Sequence, residues 1–191
     1  KDIADKKMPG AVVIVGHKGK LVYRKAFGNR ALVPVVEKMT LDTIFDAASL
    51  TKVVATTTSI MKLVEEGKLR LNDTVGKFFP EILDENAKKV TTLQLLTHVS
   101  GYRPDFDLGE KWTGRDGMLA ALKKEKLRNP PGTRFVYSDI GFIVLAEIIE
   151  RLESYGNVVG WYAVNVDQYS AEWFRVLGLR DSRFLEFWRS P

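Results

Sequence analysis

Two apolar runs flank a short polar turn in residues 11–27, AVVIVGHKGKLVYRKAF, and this stretch decides the fold. Their β-branched and aromatic residues are typical of strands, and Gly16 and Gly19 between them indicate a hairpin. An antiparallel sheet is therefore expected to begin here.

The segment that follows is helical by its spacing. Apolar and threonine side chains recur at three- and four-residue steps from residue 49 to residue 66, and Gly67 ends the pattern. Further helices are predicted at residues 91–99, 115–126 and 140–152. Because the strands come first and the helices follow, the order predicts an α/β fold of the α+β type, an antiparallel sheet with helices on it plus a mainly helical subdomain.

The 191 residues are enough for a single core without covalent staples. We expect one domain in three parts: residues 1–48 form the sheet, residues 49–152 are mainly helical and carry the candidate site, and residues 153–191 form an atypical aromatic-rich tail. The tail includes Trp161, Trp173 and Trp188. Its composition favours a packing or interface segment.

Composition excludes several classes of function. The net charge of +5 is mild, and basic residues alternate with acidic and apolar ones, so no nucleic-acid partner is expected. With no cysteine and two distant histidines, neither a metal site nor a cofactor is predicted. No run is long enough to span a membrane, and the N-terminus lacks the pattern of a signal peptide.

The residues most suggestive of chemistry are Ser49 and Lys52. Lys52 is the one charged residue between Ala47 and Met61, so its side chain either reaches out to water or is held in a partly dry site. Burial disfavours an ammonium ion, and a neutral amine is a usable base near neutral pH. Ser49 lies one helical turn earlier, where unpaired N–H groups at the helix start would stabilise an oxyanion.

The spacing alone does not decide between two interpretations of Ser49. It fits a nucleophile beside a base, and it equally fits an N-cap residue. The same Ser-x-x-Lys spacing occurs at Ser59 and Lys62, but that pair lies well inside the helix, where backbone donors are already bonded. We interpret the second pair as a decoy.

Four stretches resemble one enzyme family in order: residues 45–52, FDAASLTK; 67–73, GKLRLND; 95–101, LLTHVSG; and 131–139, PGTRFVYSD. The sequence is similar over residues 8–152 to the penicillin-binding type of serine hydrolases, nearest to class C β-lactamases and β-lactamase-like esterases and D-peptidases. The resemblance implies a β-lactamase-like fold. It also implies hydrolysis of an ester, amide or β-lactam through an acyl-enzyme.

The resemblance also implies roles for individual residues. Ser49 would be the acylated nucleophile, Lys52 its base and Tyr137 the group that passes a proton to the leaving group. Asp139, expected to bind substrate, stands where many relatives carry Asn, and a carboxylate there would favour the charged form of Lys52. Independently of the family, Ser138 and Asp139 fit the start of a helix. His98 is expected to be structural, because no acid or nucleophile is spaced to form a triad with it.

One element of the family is missing. Relatives carry a Lys/His-Thr/Ser-Gly on a late strand, and no glycine after Asp139 is preceded by Ser or Thr. We therefore expect a single, incomplete domain with an incomplete sheet, completed by a second chain or segment. The alternative function is a catalytically impaired binding or sensor protein. The family implies a small-molecule acyl substrate and a periplasmic or secreted location.

Overall fold

The computed structural model describes residues 1–107, 109 and 112–153. The chain divides into two compact units, Lys1–Asp46 and Ala47–Pro191. The aromatic-rich tail predicted for residues 153–191 lies outside the described residues, except that Glu153 ends the last helix.

The first unit is a three-stranded antiparallel sheet in the order β1-β2-β3. Its strands are β1 (Gly10–His17), β2 (Lys20–Ala31) and β3 (Glu37–Lys38). Lys18 and Gly19 connect β1 to β2, and both have positive φ angles, +47° and +74°. Two residues of positive φ are the pattern of a type I′ turn, which matches the twist of paired strands. The predicted hairpin is confirmed.

The sheet unit has no buried residue anywhere in residues 1–46. Its strands carry large apolar side chains that are nonetheless exposed: Val13, Ile14, Val15, Leu21 and Val22. The alternation that would separate a core face from a solvent face is therefore missing from this unit.

The second unit begins with a π-helical segment, Lys52–Thr57, which continues into α1 (Thr58–Glu65). The remaining helices are α2 (Val75–Phe78), α3 (Glu85–Lys88), α4 (Thr92–Leu96), α5 (Gly114–Lys124) and α6 (Asp139–Glu153). The helices predicted at 91–99, 115–126 and 140–152 are confirmed as α4, α5 and α6, with ends that differ by a few residues. No helix within the described ranges is long and apolar enough to cross a membrane.

Helix α6 is the centre of the helical core. It is buried almost all round, through residues such as Ile140, Val144 and Leu145, which is the pattern of a helix enclosed by others. Its one fully buried charge, Glu147, accepts a bidentate pair of hydrogen bonds from Arg115 on α5. The start of α6 is therefore fixed within a packed framework.

The long first helix exists as predicted, but its buried side is not the apolar stripe. Leu50, Val53, Val54 and Met61 are exposed, whereas the buried residues are Lys52, Thr56, Ile60 and Leu63. A π-helix bonds residue i to i+5 and so rotates the chain relative to an α-helix. This rotation places a lysine, rather than the leucines and valines, on the inner side.

Candidate active site

Ser49 and Lys52 are in contact at the start of the first helix. Lys52 Nζ donates a hydrogen bond to Ser49 Oγ over 3.2 Å, and the lysine side chain is 3% exposed. Of the two possibilities left open by the sequence, the structure selects a buried amine over one that reaches to solvent. Ala48, just before the serine, has φ +41°, which is uncommon for a residue with a side chain.

The π-helical turns help to place Lys52. The hydroxyl of Thr57 donates to the backbone carbonyl of Lys52 over 2.8 Å, a side-chain bond to residue i−5 that supports the wider helix. π-Helical turns occur mostly at functional sites because they turn one side chain out of the α-helical register. Here the side chain turned inward is Lys52.

The second Ser-x-x-Lys pair has a different geometry. Lys62 Nζ bonds Glu65 Oε2 over 2.7 Å rather than Ser59, and its side chain is 62% exposed. It is a solvated surface ion pair of the kind that contributes little energy. The structure therefore distinguishes the Ser49–Lys52 pair from the second pair, as predicted.

Tyr137 lies against the same amine. Lys52 Nζ is 5.2 Å from the centroid of the Tyr137 ring and 5.9 Å from that of Phe142. Both distances are within the range of cation–π attraction. Tyr137 is also 43% exposed, so its side chain borders both the buried amine and the solvent.

Asp139 forms a buried ion pair with Lys52. Its Oδ1 is 2.5 Å from Lys52 Nζ, and its side chain is 8% exposed. Ser138 caps α6, because its Oγ accepts a hydrogen bond from the Gly141 N–H over 3.1 Å. The predicted helix start is confirmed, and it directs the Asp139 carboxylate toward the lysine. A contact between Asp139 and substrate stays a prediction.

His98 holds the Tyr137 segment in place. It follows α4 with φ +57°, and its Nδ1 accepts a hydrogen bond from the Ser138 N–H over 3.0 Å. Its ring stacks on Tyr137 with centroids 4.4 Å apart. Burial, and then the nearby Lys52 charge, lower the pKa of His98, which favours the neutral ring that this bond requires. These contacts agree with the structural role expected from the sequence.

The expected oxyanion donors at the helix start are not available, and that expectation is wrong. The N–H groups of residues 50, 51 and 52 donate to the carbonyls of residues 47, 48 and 49, at 2.9, 3.0 and 3.2 Å. They are used in i→i−3 turns at the start of the helix. These three N–H groups are therefore not free to stabilise an oxyanion formed at Ser49.

The sequence reasoning missed two neighbours of the site. Phe142 is three residues after Asp139 and so shares its face of α6, a signal that could have been used. Asp105 comes from the loop after α4, and the local sequence gives no indication of its place. Burial raises the pKa of the Asp105 carboxyl, and the negative charge of Asp139 raises it further.

No group of three or more metal-binding side chains comes together in the part of the chain that the structure describes. Among the described residues, the site brings together one hydroxyl, one amine, one phenol, one imidazole and two carboxyl groups.

Comparison with known proteins supports the resemblance. A putative D-alanyl-D-alanine carboxypeptidase of Salmonella heidelberg is 29% identical over 176 residues, covering 85% of this chain and 39% of that protein. The structure of an octameric penicillin-binding protein homologue from Pyrococcus abyssi matches with a TM-score of 0.66 and 32% identity, over 80% of this chain and 37% of the other. A class C β-lactamase structure gives 0.65 and 31%, over 78% and 41%.

The chain thus spans about two fifths of the length of the relatives it matches. The beta-lactamase family model matches residues 1–184. That match covers nearly the whole sequence and includes every residue of the site just described, and the chain therefore belongs to the beta-lactamase family.

Proposed function

We propose that this protein is a serine hydrolase that forms an acyl-enzyme on Ser49 with an ester, amide or β-lactam. The observation that carries the proposal is the 3.2 Å contact between Ser49 Oγ and the buried Lys52 Nζ. Nucleophile and base within hydrogen-bond reach, with the base shielded from water, is the arrangement that activates a serine.

In the acylation step, Ser49 Oγ bonds to the acyl carbon and its proton moves to Lys52 Nζ, which must be neutral at that moment. The bond from the acyl carbon to the leaving group breaks, Tyr137 passes its proton to the departing atom, and Lys52 returns the proton taken from Ser49 to Tyr137. Water then attacks the acyl-Ser49 ester and releases the acid. The ring of Tyr137 lies beside the amine and is partly open to solvent, which supports this relay.

The decisive experiment compares Ser49→Ala with Ser59→Ala, because the chain contains its own matched control. We expect intact-mass measurement after exposure to p-nitrophenyl acetate or benzylpenicillin to show an adduct on the wild type and on Ser59→Ala, and none on Ser49→Ala. Hydrolysis should fall roughly 10³-fold or more in Ser49→Ala. Lys52→Met should slow acylation by roughly 10²- to 10⁴-fold, whereas Lys62→Met should leave it unchanged.

Equal adduct on Ser49→Ala and wild type would contradict the proposal. An adduct on Ser49 that water does not release would instead support the alternative, an impaired binding or sensor protein. One observation favours that alternative: the N–H groups at the helix start are already bonded, so one source of oxyanion stabilisation is missing. A missing donor typically costs about 10²–10³ in rate.

The acyl donor we propose is an amide whose leaving group is a D-amino acid. Support comes from the curated relative named as a D-alanyl-D-alanine carboxypeptidase. Release of D-alanine from a peptide ending in D-alanyl-D-alanine, absent with the L-alanyl isomer, is the expected result. Esters and β-lactams share the same acyl chemistry and serve as probes.

We further propose that a second chain or segment completes the sheet. Exposed apolar side chains that share one face of β1 and β2, such as Val13, Val15 and Tyr23, support this proposal, because exposed contiguous apolar surface marks an interaction site. Adding a partner chain should protect the backbone amides of β1 from hydrogen exchange. Unchanged exchange in β1 alongside a bound partner would contradict it.

For location, we propose the periplasm or the cell exterior. The family resemblance supports this, and the absence of cysteine makes the chain indifferent to an oxidising compartment. Fractionation of cells that produce the natural protein tests the proposal, and recovery of the protein only from the cytoplasm would contradict it.

A further inference from the structure

The ion pair between Lys52 and Asp139 is both short and buried. Nζ and Oδ1 are 2.5 Å apart, and the two side chains are 3% and 8% exposed. Asp139 is the first residue of α6 and Lys52 the first residue of the π-helical segment, so both atoms are held by packed helices. The pair is a fixed part of the site rather than a mobile surface contact.

A carboxylate at this distance stabilises the ammonium form of the lysine. Opposite charges within about 4–6 Å favour each other's charged states, and shielding from water strengthens the effect. An ammonium group has three donors and no acceptor. It can donate to Ser49 Oγ, as observed, but it cannot take the serine proton until it has lost one of its own.

The other groups around the amine do not offset Asp139. The aromatic faces of Tyr137 and Phe142 also attract a cation. Burial, and then the Lys52 charge, lower the pKa of His98 on the loop after α4, which favours its neutral form. Asp105, on the same loop, adds negative charge whenever it is ionised. Within the described part of the chain, the carboxylates and aromatic faces therefore favour the ammonium, and burial of the lysine opposes them.

We propose that Asp139 keeps Lys52 protonated in the resting enzyme and thereby sets the pH at which Ser49 can be acylated. Asp139 is a positioning residue that acts through Lys52. The activating step is loss of one proton from Lys52 Nζ to solvent hydroxide, after which the neutral amine accepts the Ser49 proton. This inference rests on the proposed function of Ser49 and Lys52.

The test is the pH dependence of acylation by p-nitrophenyl acetate, followed by intact mass in a single turnover. Asp139→Asn should lower the pH of half-maximal rate by about 1–3 units. At neutral pH the variant should acylate roughly 10- to 10³-fold faster than the wild type, since each pH unit below the midpoint costs about tenfold. A higher rate is a result that a merely structural aspartate would not give.

Asp116→Asn is the matched control. Asp116 is also an acidic residue in the first turn of a helix, here α5, and it is exposed. The substitution removes the same charge from a helix start without touching Lys52. We expect it to leave the pH midpoint unchanged.

The outcomes separate the two proposals. A Ser49 adduct whose pH midpoint is the same in wild type and Asp139→Asn, or a slower Asp139→Asn at every pH, would overturn the role of Asp139 and leave the hydrolase proposal standing. No adduct in any variant at any pH would overturn both.

A measurement on the wild type covers the case in which Asp139→Asn does not fold. The acylation rate of the wild type should still be rising from pH 6 to 9. A rate that is already constant at pH 7 would overturn the inference.

Discussion

The sheet unit, Lys1–Asp46, and the helical unit that begins at Ala47 use apolar residues in opposite ways. None of residues 1–46 is buried, and Leu21 and Val22 on β2 are more than half exposed. In α6, by contrast, Ile140, Val144 and Leu145 are fully buried. The apolar side chains of the two units therefore differ in whether neighbouring elements enclose them.

This difference in burial indicates which unit holds the site residues rigidly. Ser49, Lys52, Tyr137 and Asp139 all belong to the helical unit, and the last two are next to or part of its buried helix. Burial of apolar side chains, at about 25 cal/mol per Å², is the main source of folding free energy. The helical unit therefore supplies the rigid framework that the candidate site needs.

The largest expected effect comes from the same truncation in the two units. Leu145→Ala should lower the free energy of unfolding by about 2–5 kcal/mol, because it removes buried methyl groups and leaves a cavity. Leu21→Ala, at an exposed position of β2, should change it by less than about 0.5 kcal/mol. Urea unfolding monitored by far-UV circular dichroism measures both. Equal losses would mean that the sheet is enclosed as tightly as α6.

A second pair compares tyrosines at high pH. Tyr102 is fully buried, and its hydroxyl has no hydrogen-bond partner among the described residues. Burial raises the pKa of Tyr102, and the charges of Asp84 and Glu125 raise it further. The pKa of Tyr102 is higher in the folded state than in the unfolded state, so the unfolded chain loses this proton first. The free energy of unfolding is therefore unaffected by this titration below about pH 10 and falls as the pH rises beyond it.

Tyr102→Phe should therefore remove this loss. Above pH 10 the wild type should lose about 1.4 kcal/mol per pH unit relative to Tyr102→Phe, and the variant should already be about 1 kcal/mol more stable at neutral pH because it lacks an unpaired buried hydroxyl. Tyr23→Phe, at an exposed position of β2, should track the wild type at every pH. Denaturant unfolding at pH 7, 10 and 11 measures the free energy of unfolding of the three proteins. The same pH dependence in all three would contradict the prediction.

The sequence predicted those features that depend on nearby residues. Strand composition around Gly16 and Gly19 predicted the hairpin, and three-residue spacing predicted the contact between Ser49 and Lys52. The π-helical segment was not predictable from the period of the pattern, because it depends on bonds such as that from Thr57 Oγ1 to the Lys52 carbonyl. The contact between His98 and Ser138 was also out of reach, since 40 residues separate the two.

The burial of the two units shows the same limit. Apolar composition is as strong in β1 as in α6, yet β1 has no buried residue and α6 is enclosed. Enclosure depends on which other elements pack against a segment, and this is a property of the tertiary structure. Local periodicity predicts that a strand or helix forms, but it does not predict that something covers it.

The smallest expected effect on stability comes from glycine substitutions at two strained backbone positions, one in each unit. Ala48, beside the nucleophile, and Lys18, in the hairpin turn, have φ +41° and +47°, a conformation that costs a residue with a side chain about 1–2 kcal/mol. Glycine relieves most of this cost but adds chain entropy to the unfolded state. Ala48→Gly and Lys18→Gly should therefore each raise the free energy of unfolding by only about 0.5 kcal/mol.

The two glycine variants should differ in activity. In Ala48→Gly the turn before Ser49 becomes freer, so we expect acylation by p-nitrophenyl acetate to slow by roughly 3- to 10-fold, because a small misplacement of a nucleophile is costly. Lys18→Gly should leave the rate unchanged. A strained backbone conformation persists only where the surrounding structure enforces it, and such positions cluster at functional sites. A full rate in Ala48→Gly would mean that the strain at Ala48 is only a consequence of the tight turn, as it is at Lys18.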